Sequence, residues 1–440
     1  MKQKLLPATF MQFDFVLILS VISLIAVGIA FIYSSGVTSN GVQVSDEWSK
    51  QLIWAASGLV LMTVFAVIDY RRWKDWAIAV YLVSVILLGV VLIMGNYVKG
   101  ARAWFGVGSV GVQPSEFGKI ALIIILAWWY DEQGRNTDSL RSWTGGIILT
   151  SIPMLLVLVQ PDLGTAIVYI PILLAVSFTA GIRTRYIMFA LIPGFLIIAG
   201  TLGIAWNEYI NSSQAGFFRL FTEPGIIKII FPSFVALTIL AYIGYLIFKQ
   251  KLYIVLLYFF GIFDLSYMGT AAAYKVLKGY QMMRLVVFMD PQIDPRGAGW
   301  HIIQSVTAIG SGGATGKGFL HGTQSHYRYL PEQSTDFIFS IIAEETGFIG
   351  TLVVFAIFTL IIIRALYIAY TSRDNFGTLL SAGIAAMIGY HVIQNIGMAI
   401  GVMPITGIPL FFLSYGGSSL WAALISIGLL LSIHFRRYRN

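Results

Sequence analysis

A carboxylate at the lip of a long apolar run is the first group in this chain that could do chemistry. Asp336 stands in "RYLPEQSTDFIFSIIAEETGFIG" (Arg328–Gly350), just after Ser334 and Thr335 and just before residues suited to lipid. Two readings are open. Near a helix N-terminus a carboxylate is stabilised by the dipole and free amides, by roughly 0.3–1 kcal/mol, which would make Asp336 a cap. A lone carboxylate also suffices for a reaction that needs one general base. Glu344 and Glu345 follow on the same run. On a regular helix Glu345 would point about opposite to Asp336 and Glu344 roughly 80° away, so they form no carboxylate pair with it.

A second polar set lies in "WFGVGSVGVQPSEFGK" (Trp104–Lys119). Glu116 and Lys119 are three apart and share a helix face. They belong either to a capped helix start with an interfacial ion pair or, with Arg102 and Trp104, to a groove for an anionic lipid headgroup. Lys119 falls slightly inside the apolar boundary, where charge is expensive and usually functional. In "QPDLG" (Gln160–Gly164), Asp162 reads as a helix cap at a tight turn, with Gln160 adding to a polar cluster. "GSGGATGKGF" (Gly310–Phe319) imitates a phosphate-binding loop and fails in detail. Ser311 stands where the first glycine belongs and Gly318 where a metal-binding hydroxyl is needed. Nucleotide is therefore not expected; Lys317 marks either a flexible glycine-rich turn or a contact to an anionic ligand. His301, His321 and His326 lack the spacing of a zinc site.

These residues must be held by membrane helices. The chain is 58% hydrophobic and 11% charged over 440 residues, whereas soluble domains carry about 25% charged residues. Apolar runs of about 20 residues recur, each able to cross a hydrocarbon core of roughly 30 Å. Backbone pairing within each segment makes them helices. The absence of cysteine excludes disulfides, thiol catalysis and cysteine-ligated metals, and no haem is expected. The net charge of +8 reflects basic loops on one side of a membrane, not nucleic-acid binding. Crossings are expected near 14–33, 50–68, 76–95, 115–130, 145–160, 162–180, 186–206, 226–248, 252–270, 337–366, 378–400 and 408–434. The first is read as a retained helix, too long for a signal peptide's apolar region.

Two runs are too long for one crossing. As a single helix 145–180 would extend about 54 Å and 336–370 about 52 Å. The first has Arg135 and Arg141 before it and Arg183 and Arg185 after it. Both ends are then cytoplasmic, and the chain turns at Pro161–Asp162 on the outside. The second is expected to break at Gly347, with a short outer helix before the true crossing. Lys2, Lys4, Arg71, Arg72, Lys74, Lys249, Lys251, Arg364, Arg373, Arg436, Arg437 and Arg439 complete an alternating pattern with both termini cytoplasmic. The polar stretches 96–116 and 271–335 then lie outside, where sites tend to sit.

Taken together, "KGARAWF" (Lys99–Phe105), "QPSEFGKIAL" (Gln113–Leu122), "QPDLGTA" (Gln160–Ala166), "GSGGATGKGFLHGTQS" (Gly310–Ser325), "YLPEQSTDFIFSIIAEETGFIG" (Tyr329–Gly350) and "MPITGIPLFFLSYGGSSL" (Met403–Leu420) resemble the SEDS family of shape, elongation, division and sporulation proteins over nearly the full length. "HGTQS" and "MPITGIP" resemble its rod-shape branch more than its division branch. Phe411 stands where the family usually has a second proline. The resemblance implies an all-α polytopic membrane domain over 1–440, with a core of about ten crossings. The pair at 226–270 would be an insertion, giving about twelve, and 271–335 the large extracytoplasmic loop.

It further implies a multi-pass peptidoglycan glycosyltransferase of the bacterial cytoplasmic membrane, acting in cell elongation, with its site outside. Such an enzyme polymerises lipid II and releases undecaprenyl pyrophosphate. Asp336 matches the family's catalytic acid, and Trp104, Glu116 and Lys119 match its motifs. Arg102, Gln160, Asp162, Lys317, Gln324, Ser325, Glu332 and Thr335 complete the expected substrate-binding set. The cofactor left open is a divalent cation, Mg or Mn. Expected partners are a class B penicillin-binding protein, other elongation-complex proteins and membrane lipid, with no nucleic acid. The competing function is a flippase or transporter of the lipid-linked precursor. Such a protein wants charge and broken helices near the midplane, whereas polar residues here gather toward the outer surface. A scaffold for wall-building partners is compatible with either.

Overall fold

The computed structural model describes residues 14–98, 101–107, 110–210, 216–277 and 279–437; Lys2, Lys4, Lys99, Gly100 and Arg439 fall outside these. Helices dominate, as backbone that cannot turn to water requires. α1 (Phe15–Ser35), α2 (Glu47–Val67), the short α3 (Arg71–Asp75) and α4 (Ala77–Met94) lead to a small antiparallel sheet of β1 (Asn96–Val98), β2 (Ala101–Val107) and β3 (Val110–Val112). Then come α5 (Pro114–Gln133), α6 (Leu140–Val159), α7 (Leu163–Thr179), α8 (Thr184–Tyr209), the short α9 (Arg219–Thr222), α10 (Pro224–Phe248) and α11 (Lys251–Val276). α12 (Gly279–Met289), α13 (Ala298–Ser311), the single-turn α14 (Thr323–His326), α15 (Ile338–Thr371), α16 (Asn375–Ala399) and α17 (Gly417–Arg436) complete the chain.

Among the described residues, ten helices are long and apolar enough to cross a membrane. α7 is apolar but shorter, and α5 carries Glu116, Lys119, Asp131 and Glu132. The run 145–180 is two helices joined through Gln160–Asp162, as its length requires. Elsewhere the boundaries move. The 96–116 stretch holds the three-stranded sheet, and 271–335 is largely helical, because 279–289 and 298–311 repeat apolar residues at helical period. The last crossing helix starts at Gly417, not near 408: Pro404 and Pro409 cannot join a helix ladder.

The chain forms two compact units, Arg183–Ile303 and the remainder. In the first, α10 and α11 pack through stacked Phe234 and Phe263, centroids 3.8 Å apart. Thr238 Oγ1 also donates to Asp264 Oδ2 at 2.7 Å. Ala205 on α8 packs with Met282 and Val286 on α12. In the other unit α16 and α17 are the sheltered helices, with 72% and 89% of their apolar windows buried. Gly428 brings α17 against α2, since a Cβ there would lie 2.5 Å from Met62 O. Small residues permit such approach. A helix sheltered from lipid, such as α16, can carry polar side chains.

α15 breaks at Gly347, where φ is 68° and ψ −166°, backbone essentially reserved for glycine. The break frees two helical donors and two acceptors. The glycine-rich loop supplies partners for all four: Phe348 N donates to Gly313 O (2.9 Å) and Ile349 N to Ala314 O (3.1 Å). In return, Lys317 N donates to Glu344 O (3.0 Å) and Gly318 N to Glu345 O (2.9 Å). The loop splints a broken helix by strand-like pairing. Contact is close: a Cβ on Gly347 would lie 2.3 Å from Gly316 N. Gly347→Ala is therefore expected to destabilise the protein by about 3 kcal/mol or more, combining backbone strain with a clash. Thermal unfolding of the purified variant in detergent checks this, and an unchanged melting temperature would contradict it.

Candidate active site

After α16 the chain runs non-helically from Met403 to Pro409. Its carbonyls need donors, and α16 presents them. His391, Gln394 and Asn395 sit at i, i+3 and i+4 on one stripe. Gln394 Nε2 donates to Pro404 O (3.0 Å), Asn395 Nδ2 to Ile408 O (2.8 Å) and His391 Nδ1 to Pro409 O (2.9 Å). A carbonyl only accepts, so the His391 proton is on Nδ1 and Nε2 is an acceptor.

Asp336 lies against this segment. Tyr415 N donates to Ser334 O at 2.8 Å. Ser414 Oγ donates to Thr335 O at 2.6 Å and Asn395 Nδ2 to Asp336 O at 2.9 Å. The amides of Thr335, Asp336 and Phe337 all point to Glu332 O, at 3.3, 3.1 and 3.3 Å. The backbone around the acid is thus held on both sides. Asp336 is not the helix cap: α15 begins at Ile338 with Phe337 as N-cap and no side-chain capping bond. The half-buried carboxylate borders Gly407, where a Cβ would come 3.5 Å from Oδ2. Gly407 is exposed, so the acid borders open space.

Lys119 is wholly buried. Its ammonium donates to Glu116 Oε2 (2.8 Å) and to His391 Nε2 (3.0 Å), with the Phe411 ring centroid 5.2 Å away. Phe411 stacks on His391 at 3.8 Å between centroids. Glu116 and His391 are also buried. Lys119 therefore sits within the protein rather than lining an open groove, and it connects through His391 to the Pro409 carbonyl.

The other predicted residues are dispersed. Asp162 caps α7, accepting from Thr165 N (3.0 Å), Thr165 Oγ1 (2.8 Å) and Gln113 Nε2 (2.9 Å). Its neighbour Gly164 abuts the segment beside Asp336, since a Cβ there would lie 2.3 Å from Thr406 O. Gln160 is buried and donates to Leu88 O at 3.1 Å. Thr335 Oγ1 is 3.2 Å from Glu332 Oε2, in the turn that carries Asp336.

A separate cluster surrounds Glu344. Its Oε1 accepts from Lys317 Nζ (2.7 Å), Thr323 N (2.8 Å) and Gln324 N (3.0 Å), while Oε2 accepts from Ser325 N (3.4 Å). Gln324 and Ser325 meet this carboxylate through backbone, and Lys317 is already paired. Arg102 and Trp104 lie on β2, paired with Tyr97 and Asn96 of β1 across an irregularity in the ladder. Arg102 is exposed, and its Nη1 donates to Leu92 O at 3.3 Å.

Sequence reading passed over His391, Gln394, Asn395 and Ser414. The signal was present in α16: polar side chains at helical spacing inside a crossing helix are costly and seldom idle. Among the described residues no three of His, Cys, Asp or Glu converge to hold a metal ion, so no step is assigned to a protein-bound cation.

Removing one partner of a buried ion pair leaves the other charge uncompensated, at a cost of about 3–5 kcal/mol. Glu116→Gln and Lys119→Met are each expected to destabilise by about this amount. The double variant should lose clearly less than the sum, as thermal or denaturant unfolding of the four proteins would show.

The family profile described as "Cell cycle protein", for FtsW, RodA and SpoVE, matches residues 14–228 and 227–439. The peptidoglycan glycosyltransferase RodA of Treponema pallidum is 44% identical over 97% of this chain and 98% of its own. MrdB of Escherichia coli K12, named a peptidoglycan glycosyltransferase, is 34% identical over 87% of this chain and 84% of its own. Among solved structures, a chain of a peptidoglycan synthase complex described as coordinating polymerization and crosslinking has TM-score 0.69 and 27% identity. The alignment covers 97% of this chain and 99% of that one. The rod shape determining protein RodA of Thermus thermophilus has TM-score 0.59 and 25% identity, covering 97% of this chain and 98% of its own. With a family profile matched from end to end and such relatives over nearly the whole length, this chain belongs to the FtsW, RodA and SpoVE family, the SEDS proteins.

Proposed function

We propose that this protein is a peptidoglycan glycosyltransferase that polymerises lipid II at the outer face of the bacterial cytoplasmic membrane during cell elongation. The observation that carries the reading is Asp336: a carboxylate on a backbone held at three successive carbonyls, bordering the open space at Gly407. The names of the relatives support glycosyl transfer over transport of a lipid-linked precursor.

The chemistry requires a sugar 4-hydroxyl to attack an anomeric carbon while undecaprenyl pyrophosphate departs. Asp336 accepts the hydroxyl proton as the new C–O bond forms, which raises the nucleophilicity of the oxygen in the transition state. The leaving pyrophosphate needs positive charge. Lys119 and Lys317 already face Glu116 and Glu344. Among the three candidate cations, exposed Arg102 is the one whose hydrogen bond among the described residues goes to a neutral carbonyl. Arg102 is thus the favoured pyrophosphate contact, with Trp104 on the same strand.

With α5 and α7 counted beside the ten long spans, the crossings number twelve and both termini lie in the cytoplasm. A class B penicillin-binding protein is the partner of choice, to crosslink the strands made here; the relative in a polymerising and crosslinking complex supports that pairing. Other elongation-complex proteins would join them.

Asp336→Asn is expected to fold normally and to lose roughly 100- to 10,000-fold in rate, the range of a general base. The check is glycan formation from purified lipid II, resolved on gels, beside a vesicle assay of labelled-precursor movement. Polymer at the unaltered rate removes Asp336 as base. Transbilayer movement without any polymer, by the unaltered chain, replaces glycosyl transfer with transport.

A further inference from the structure

We propose that Asn395, assisted by Ser414, is a positioning residue that sets the direction of the Asp336 carboxylate. The proposal rests on the reading of Asp336 as general base. It starts from what a helix start leaves undone. α15 begins at Ile338, so the carbonyls of Ser334, Thr335 and Asp336 precede the helical ladder and must be satisfied from elsewhere. The donors come from two neighbouring segments: Tyr415 N to Ser334 O, Ser414 Oγ to Thr335 O and Asn395 Nδ2 to Asp336 O.

Asn395 differs from the other two in what it joins. Its single amide nitrogen donates both to Asp336 O (2.9 Å) and to Ile408 O (2.8 Å). Ile408 adjoins Gly407, the residue facing the Asp336 carboxylate. One side chain therefore sets the acid and the wall of the space it faces at a fixed separation. Asn395 is fully buried, and its Oδ1 has no hydrogen-bond partner among the described residues. The residue's hydrogen-bonding role here is that of a double donor. An apolar side chain would leave two carbonyls unpaired, and an ionised carboxylate would repel both.

Ser414 closes the other side. Its Oγ donates to Thr335 O and accepts from Leu410 N at 2.8 Å, so the hydroxyl joins the 410–414 turn to the residue before the acid. Neither Asn395 nor Ser414 is placed here in contact with the reacting atoms. Their effect is on geometry: moving a catalytic group by about 1 Å can cost roughly 100-fold in rate.

The test uses the full-length protein in nanodiscs with purified lipid II, and compares Asn395→Ala, Ser414→Ala and Asp336→Asn with a control, Ser305→Ala. Ser305 is buried in the same unit and its hydroxyl lies 2.6 Å from both Ala399 O and Ser340 Oγ, so its bonds reach neither Asp336 nor Asn395 nor Ser414. Asn395→Ala is expected to lower kcat about 30- to 100-fold and Ser414→Ala about 10-fold, each with KM for lipid II within about two-fold. Asn395→Ala, Ser414→Ala and Ser305→Ala each remove a donor to a carbonyl, so all three should lower the melting temperature. Ser305→Ala should do so while keeping kcat within about two-fold.

Unaltered kcat in Asn395→Ala and Ser414→Ala, with Asp336→Asn inactive, would overturn the positioning role and leave the base in place. A fall in kcat for Ser305→Ala matching that of Asn395→Ala would reduce the effect to general stability and overturn it too. Full activity in Asp336→Asn would remove the base, and this proposal with it. Should Asn395→Ala fail to fold, Ser414→Ala against Ser305→Ala decides.

Discussion

A carbonyl or amide released from its helix inside a membrane protein has no water to turn to, and each one left unpaired costs free energy. Much of what is distinctive in this fold answers that constraint. The chain departs from helix twice near the site, at Gly347 and between α16 and α17. Both departures find partners: the first in main-chain pairing with the glycine-rich loop, the second in a polar stripe of α16 that donates to the Pro404, Ile408 and Pro409 carbonyls. An irregular backbone is what a site needs to present a side chain at an angle no helix offers. The surrounding elements exist to make that irregularity tolerable.

Charge obeys the same logic. Lys119 would be prohibitively costly without Glu116 and the His391 acceptor, and Glu344 without Lys317 and a ring of amides. Each group thereby exchanges availability for order. Lys119 fixes the imidazole tautomer that grips Pro409, and Glu344 gathers the 317–325 loop around itself. Phe411, at a position where the family usually has proline, fits this arrangement because its ring covers both His391 and Lys119. A proline could not supply such a surface.

The helical membrane class, the double helix at 145–180 and the break at Gly347 were legible in the sequence, because helix rise and bilayer thickness are fixed lengths. Asp336 stood out in the sequence, since an acid before an apolar run asks for a reason. Its anchoring was not. Asn395 lies 59 residues from Asp336, and a side-chain bond to a backbone carbonyl leaves no local pattern at either end. Reading Asp336 as a cap failed for the same reason: local sequence supports a helix start at the acid, while the clamp on its carbonyl delays the helix to Ile338. Gln324 and Ser325 stand in a distinctive motif, yet they meet Glu344 through main-chain amides, which any residue type provides.

The splint at Gly347 leaves its own mark on sequence drift. Its four bonds join main chain to main chain, so they are blind to most side chains along the loop. Residue type is constrained where backbones nearly touch, at Gly312, Gly316 and Gly347, where a Cβ would lie 2.1–2.3 Å from a backbone atom, and where φ is positive, at Gly313 (57°) and Gly318 (99°). Between those points Ala314 contributes only its main-chain carbonyl, to Ile349 N. Related chains could therefore diverge at positions such as Ala314 while keeping the same break. A phosphate-loop look-alike would then persist by its glycines alone, with no phosphate ever involved.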